Sequence, residues 1–203
     1  YQGHPSHGDG LRRNAMETIW KGLDAQGDMT IVRGDSNGWD PSLVFWDIHP
    51  ESREFYFFMG KCIGWSLMYG EPIPQLQQCT PSVAFIKLCW QEPVTSSDIL
   101  PTITEAILKV TKEDLATGYL ELVPPVLGFD NAEVEETSAG ISYDVEEYRE
   151  FMKSRIVGTY LKNCLPMAEE VRRGLISVCE KTFTSLSKFI SAKDMRSLVW
   201  GTA

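Results

Sequence analysis

Thiols and imidazoles are the groups in this sequence best suited to nucleophilic chemistry. The chain has five cysteines and three histidines, which are Cys62, Cys79, Cys89, Cys164, Cys179, His4, His7 and His49. A nucleophilic cysteine needs a lowered pKa and an exposed position beside a positive group or a helix N-terminus. Cys62, Cys89 and Cys179 fall on apolar helical stretches, where buried structural thiols are common.

The other two cysteines lie in loop-like contexts, so we expect Cys79 and Cys164 to be more exposed. Neither has a histidine or an arginine within a few residues. The sequence therefore predicts no catalytic residue among the five, with a Cys/His dyad kept as a minor alternative. The odd number of cysteines and the lack of a Cys-x-x-Cys pair argue against a disulfide framework and a structural zinc site, and favour the cytoplasm or the nucleus.

Acidic side chains are the second group that could do chemistry. The formal net charge is -9, and the acids are densest between Asp130 and Glu150. This negative field argues against nucleic acid as a partner. The cluster could hold a metal or an acid/base pair in an unrelated helical enzyme, but a run of acids in a linker is more typical of a solvated, helix-capping face. We predict no metal and no cofactor.

Targeting signals are not evident. No apolar segment reaches the roughly 18 residues that a membrane span requires, so we predict no membrane partner. Residues Tyr1 to Gly10 hold no basic region followed by an apolar run and no initiator methionine. We therefore expect no signal peptide, and we expect further residues upstream.

Helical periodicity dominates the elements that would position these groups. The strongest signal runs from Glu54 to Tyr69, where apolar residues recur at helical spacing. Gly60 and Gly64 lie one turn apart in it, and glycine costs about 1 kcal/mol in a helix interior. This spacing predicts that another backbone packs closely there.

Other elements are marked by caps and breakers. We expect helices over Arg12–Leu23, from Pro81 to Trp90 with Thr80 as the cap, and over Met167–Phe183 after a turn at Pro166. A short strand is expected over Met29–Val32. Five capping pairs predict helix starts, namely Thr95 with Asp98, Thr102 with Glu105, Thr111 with Asp114, Asp144 with Glu147 before a long helix to about Cys164, and Ser191 with Asp194.

These elements predict a mainly α fold, or α+β with few short strands. We expect a large helical subdomain formed by residues 1–93 and 140–203. The short capped helices between Val94 and Ala139 predict a small, semi-independent subdomain.

One segment resembles a known family. Phe55 to Gly70, FYFFMGKCIGWSLMYG, is similar to the aromatic-rich helix with two glycines four residues apart in the N-terminal lobe of HECT-type ubiquitin ligases. Weaker likenesses follow the family's order over nearly the whole chain, at Gly8–Arg13, Ile73–Pro74, Pro81–Leu88, Ile141–Tyr148, Arg172–Leu175 with Phe183, and Asp194–Leu198 with Gly201. Arg13 and Val145 depart from the acid and the asparagine usual in the family.

The resemblance implies a lobe that recruits a ubiquitin-conjugating enzyme for transfer of ubiquitin, with ubiquitin itself as a further partner. It implies that the catalytic cysteine belongs to a C-terminal lobe absent from this chain. It places the conjugating enzyme on the small subdomain, where we expect Leu108, Tyr119, Leu122 and Val123 to line the groove. Two alternatives stay open: these residues could form the subdomain core, and the module could be a degenerate, non-catalytic interaction domain.

Overall fold

The described part of the chain is mainly helical, as the sequence predicts. The computed structural model describes residues 10, 14–15, 17–19, 21, 33–34, 38–39, 50–70, 73, 81–116 and 144–200. Strand β1, Arg33–Gly34, pairs antiparallel with β2, Gly38–Trp39. The strand expected over Met29–Val32 lies outside the described residues, whereas residues 14–15, 17–19 and 21 of the expected first helix are helical.

Seven further helices follow in the described ranges. They are α1 Pro50–Tyr69, α2 Val83–Trp90, α3 Ser96–Ile99, α4 Pro101–Lys109, α5 Lys112–Ala116, α6 Val145–Leu186 and α7 Ala192–Trp200. The chain forms two compact units, residues 1–93 with 162–203, and residues 94–161. Because residues 117–143 lie outside the described part, the subdomain limits drawn from the sequence stay a prediction.

Helix α1 confirms the strongest helical prediction, and it begins earlier than expected, at Pro50. Its inward face buries Tyr56, Met59, Cys62 and Ile63, each at most 2% exposed. The two glycines of α1 both contact α6 closely, as their spacing predicts. This close approach sets the packing of the larger unit.

Helix α7 packs on α2 and α1 in the same unit. Three hydrogen bonds join α7 to residues that come before or after α2 in the chain. The Ile73 N–H donates to the Val199 carbonyl at 2.6 Å, and Arg196 Nε donates to the Pro81 carbonyl at 2.9 Å. The Ala192 N–H, at the start of α7, donates to Glu92 Oε1 at 2.7 Å, where a carboxylate is favoured by the helix dipole.

The start of α2 differs from the sequence prediction. Ser82 is the cap, because its Oγ accepts a hydrogen bond from the Phe85 N–H at 3.1 Å. Pro81 therefore precedes the helix instead of opening it. The Ser82 hydroxyl accepts from one of the first N–H groups of the helix, which have no acceptor within the helix itself.

The predicted turn at Pro166 is wrong, because α6 continues through this proline. Proline removes one helical N–H, but its fixed φ is compatible with a helix. Cys164 and Met167, on either side, are at most 1% exposed, and their burial holds the helix in place. The interruption lies instead at Cys179, whose φ of -139° and ψ of 43° are not helical.

Three of the five predicted capping pairs are present with their aspartate oxygens on the expected N–H groups, at Thr95 with Asp98, Thr111 with Asp114, and Ser191 with Asp194. At Asp144 the carboxylate accepts instead from the Glu146 N–H at 3.0 Å. The pair of Thr102 with Glu105 is wrong, since α4 already begins at Pro101. Glu105 forms an ion pair with Lys109 at 2.8 Å.

Candidate functional site

The compact unit of residues 94–161 carries the only predicted docking residue that the structure describes, Leu108. Its core joins the α3–α4 junction, α4 and the first turns of α6 through five buried side chains, which are Leu100, Ile107, Tyr148, Met152 and Ile156. Ile107 is fully buried, and burial raises the pKa of Tyr148 above its ordinary value. These residues supply an apolar core without Leu108.

Arg149 ties α6 to the end of α4. Its Nη2 donates to the Val110 carbonyl at 2.9 Å, while Nη1 pairs with Glu146 at 2.5 Å. Because α4 ends at Lys109, this bond satisfies a carbonyl just beyond the last turn. The contact holds α4, and with it Leu108, in a defined position on α6.

An open groove of about 690 Å³ lies between the α3–α4 segment and α6. Its apolar lining comes from Leu108, Val157 and Leu161, and its hydroxyl lining from Thr95, Ser96, Ser97, Thr104 and Ser154. Gly158 also lines it, and an added Cβ there would meet no atom within 4 Å. The absence of a side chain at Gly158 therefore keeps that part of the groove open.

Leu108 lies on this groove with 49% of its surface exposed. It is outside the buried core cluster of its unit. Tyr119, Leu122 and Val123, the other expected docking residues, lie outside the described residues. Val157 and Leu161 were missed from the sequence, although their spacing of four residues places both on one face of α6.

Thr104 adds an unused hydrogen-bonding group to the groove. It is 3% exposed, and its Oγ1 has no hydrogen-bond partner among the described residues. Leaving a buried hydroxyl unpaired is unfavourable. Because this oxygen is buried, an occupant of the groove would reach it only if the Thr104 side chain moved.

The described cysteines do not suit nucleophilic chemistry. Cys62, Cys89, Cys164 and Cys179 are all buried, and none of the four is in a disulfide. The expectation that Cys164 is exposed is wrong, because it faces the core from within α6 at 0% exposure. Burial raises the pKa of Cys62 to about 12 and also raises that of Cys89 and Cys179. Cys79 and the three histidines lie outside the described residues.

Two residues of the acidic cluster that the structure describes, Asp144 and Glu146, have structural partners. Asp144 caps α6, and Glu146 pairs with Arg149. No group of three or more histidine, cysteine or acidic side chains converges on a cation position in the described ranges. Among the same residues, no helix combines the length and the apolar character needed to cross a bilayer.

Comparisons with known proteins add no neighbour, since no family model, curated protein or solved structure matches this chain. The geometry itself offers a partly apolar groove with an exposed leucine and an unpartnered buried hydroxyl. Clefts of this size bind small molecules or a protruding side chain of a partner. The described residues are thus better suited to binding than to covalent chemistry.

Proposed function

We propose that this chain is the N-terminal lobe of a HECT-type ubiquitin ligase, and that it recruits a ubiquitin-conjugating enzyme for transfer of ubiquitin. The observation that carries the proposal is the exposed Leu108 on a groove whose surrounding core is complete without it. The likeness of Phe55–Gly70 to the family's central helix supports it from the sequence. The catalytic cysteine belongs to another lobe of the parent protein.

Docking in this proposal places an apolar side chain of the conjugating enzyme against Leu108, Val157 and Leu161. A small apolar contact with a polar rim suits a complex that must exchange repeatedly. A micromolar dissociation constant, about -8 kcal/mol, fits such exchange. The proposal also includes Tyr119, Leu122 and Val123, on the segment that follows α5.

The test is a titration of the full, isotope-labelled chain with a panel of ubiquitin-conjugating enzymes, followed by NMR. We expect shifts of the backbone amides of Leu108, Val157 and Leu161 with at least one enzyme. Leu108→Asp should weaken that binding by about tenfold or more, because a carboxylate in an apolar contact is costly. Leu122→Asp should do the same while circular dichroism stays unchanged.

Leu198→Asp is the matched control. Leu198 is also an exposed helical leucine, at 59%, but it lies on α7 in the other unit. It should leave the binding unchanged. Absence of shifts with every enzyme would exclude recruitment and leave the alternative, a non-catalytic interaction module derived from the same fold.

A further inference from the structure

A second cleft, of about 670 Å³, lies in the unit formed by residues 1–93 and 162–203. It is bounded by the end of α2 and by the α6 face from Leu165 to Ile176. Its apolar lining comes from Leu88, Leu165 and Ile176, and its charged lining includes Glu169, Arg172 and Arg173. We call it the Arg172 cleft.

Arg172 is the cation of this cleft that lacks a carboxylate. Within the described ranges no acidic side chain forms an ion pair with it. Its Nε is buried and has no hydrogen-bond partner among the same residues. A buried guanidinium N–H without an acceptor is unfavourable, and a carboxylate is its strongest natural partner.

The aromatic residues beneath it hold the guanidinium in place. The guanidinium carbon lies 5.8 Å from the centre of the Phe183 ring. Phe183 is 4% exposed and meets the Trp90 ring edge-on at 4.7 Å. A cation over a buried ring is partly desolvated and fixed in orientation, which strengthens its attraction for an anion.

Two neighbouring charged groups, Arg173 and Glu92, are already engaged. Arg173 pairs with Glu170 at 2.8 Å and lies over the Phe57 ring at 4.9 Å. Glu92 accepts the Ala192 N–H. Glu169 is exposed on the rim, where it disfavours a second negative charge on a ligand. The cleft is therefore suited to one carboxylate.

We propose that the Arg172 cleft binds a short protein segment in which an aliphatic residue is next to a single aspartate or glutamate. The aliphatic side chain packs against Leu88, Leu165 and Ile176. Leu165 is 41% exposed without an occupant, so it gains buried area on binding. The ligand carboxylate accepts hydrogen bonds from the accessible edge of the Arg172 guanidinium. This binding is independent of the docking groove on the other unit.

The test uses the full chain and an acetylated, amidated Ser-Gly-Leu-Asp-Gly-Ser peptide, followed by NMR. We expect amide shifts at Gln91, Leu165 and Ile176. Replacing the aspartate of the peptide by asparagine, or its leucine by serine, should weaken binding by about tenfold or more, because each removes one of the two contacts. Equal binding of the asparagine peptide, or no shift with the parent peptide, would overturn the proposal.

Variants of the chain separate this cleft from other surfaces. Arg172→Gln should reduce binding by about tenfold or more. Because Arg172 packs on Phe183, the variant could fail to fold; Leu165→Glu, at an exposed position, then decides by placing a like charge beside the ligand carboxylate. Lys181→Gln, an exposed change elsewhere on α6, is the control and should bind as the parent chain does. Folded Leu165→Glu with unchanged affinity contradicts the assignment.

Discussion

Gly60 and Gly174 each face the backbone of the helix that carries the other. A Cβ on Gly60 would lie 1.9 Å from the Val171 carbonyl oxygen, and one on Gly174 would lie 1.9 Å from the Phe57 carbonyl oxygen. Both neighbours are backbone atoms, which cannot rotate away as a side chain can. The crossing of α1 and α6 therefore requires glycine on both helices.

Gly60→Ala and Gly174→Ala should each destabilise the protein by at least about 2 kcal/mol, because either methyl group forces the helices apart. Gly158→Ala is the matched control, since a Cβ there meets nothing within 4 Å and alanine favours a helix by about 1 kcal/mol. Urea denaturation of the three variants measures the difference. A Gly60→Ala protein as stable as the parent chain would contradict the close crossing.

Gly64→Ala should cost less than either of these changes. Its Cβ would lie 3.1 Å from Val178 Cβ, 3.2 Å from the Leu175 carbonyl oxygen and 3.3 Å from Cys179 Sγ. At these distances the neighbours need to shift by only a few tenths of an ångström, far less than the 1.9 Å contact at Gly60 demands. The same urea experiment should place its free energy of unfolding between those of Gly60→Ala and Gly158→Ala. A loss as large as that of Gly60→Ala would mean that the interrupted helix at Cys179 cannot adjust.

Ser82→Ala should lower the free energy of unfolding by about 1 kcal/mol, because the Phe85 N–H loses its acceptor at the start of α2. Ser82→Asp should retain most of the stability, since a carboxylate also accepts that bond and favours a helix N-terminus. Thermal denaturation compares the two variants with the parent chain. If both variants lose stability equally, the serine acts by packing in its buried position and not as a cap.

The sequence predicted the glycines on the α1 side of the helix crossing but missed the glycine on the α6 side. Gly60 and Gly64 are unfavourable in a helix interior, so the local sequence pattern identifies them as contact points. Their partner Gly174 lies more than a hundred residues away, and pairing of distant helices leaves no periodic trace in either. Leu108 illustrates the same limit: its helical position was predictable, whereas its separation from the core depends on how α4 meets α6.

Where local rules failed, a competing interaction explains the outcome. Thr102 with Glu105 has the same spacing as the capping pairs that formed, but Pro101 already occupies the first position of α4. Pro166 is a helix breaker by propensity, yet buried neighbours keep α6 continuous. In the first case an adjacent residue decides where the helix begins, and in the second the packing of the core does. Each effect outweighs a local preference whose free energy is about that of one hydrogen bond.

The caps at Thr111 and Ser191 should weaken in acid. Hydrogen bonds from Thr111 lower the pKa of Asp114, and those from Ser191 lower the pKa of Asp194, in both cases from 3.8. When the pKa of a carboxyl is lower in the folded than in the unfolded chain, ionisation stabilises the fold at a pH above the unfolded pKa. That stabilisation is lost as the pH falls through the folded pKa. NMR titration of the carboxyl carbons should give a pKa below 3.8 for both residues. Thr111→Val and Ser191→Ala should return each pKa toward that ordinary value.

The buried thiols should make the fold less stable as the pH rises, whereas the capping aspartates make it less stable as the pH falls. The pKa of Cys62 rises from 9.0 to about 12 on burial, so the folded chain keeps its proton in a range where the unfolded chain loses it. The resulting stabilisation is complete below pH 9 and is lost between pH 9 and pH 12. Cys62→Ala should flatten that part of the stability profile, at the cost of a small cavity.

The same burial predicts how the thiols react. The thiolate is the attacking species, and it is scarce at neutral pH when the pKa is high and the side chain is buried. Iodoacetamide should therefore modify Cys62, Cys89, Cys164 and Cys179 slowly in the folded chain and rapidly in urea, as read by peptide mass spectrometry. Cys89→Ser and Cys164→Ser should leave Cys62 and Cys179 as slow to react with iodoacetamide as they are in the parent chain. Fast native alkylation of any of the four would reopen the case for a nucleophile within this chain, because only an exposed thiolate reacts at such a rate.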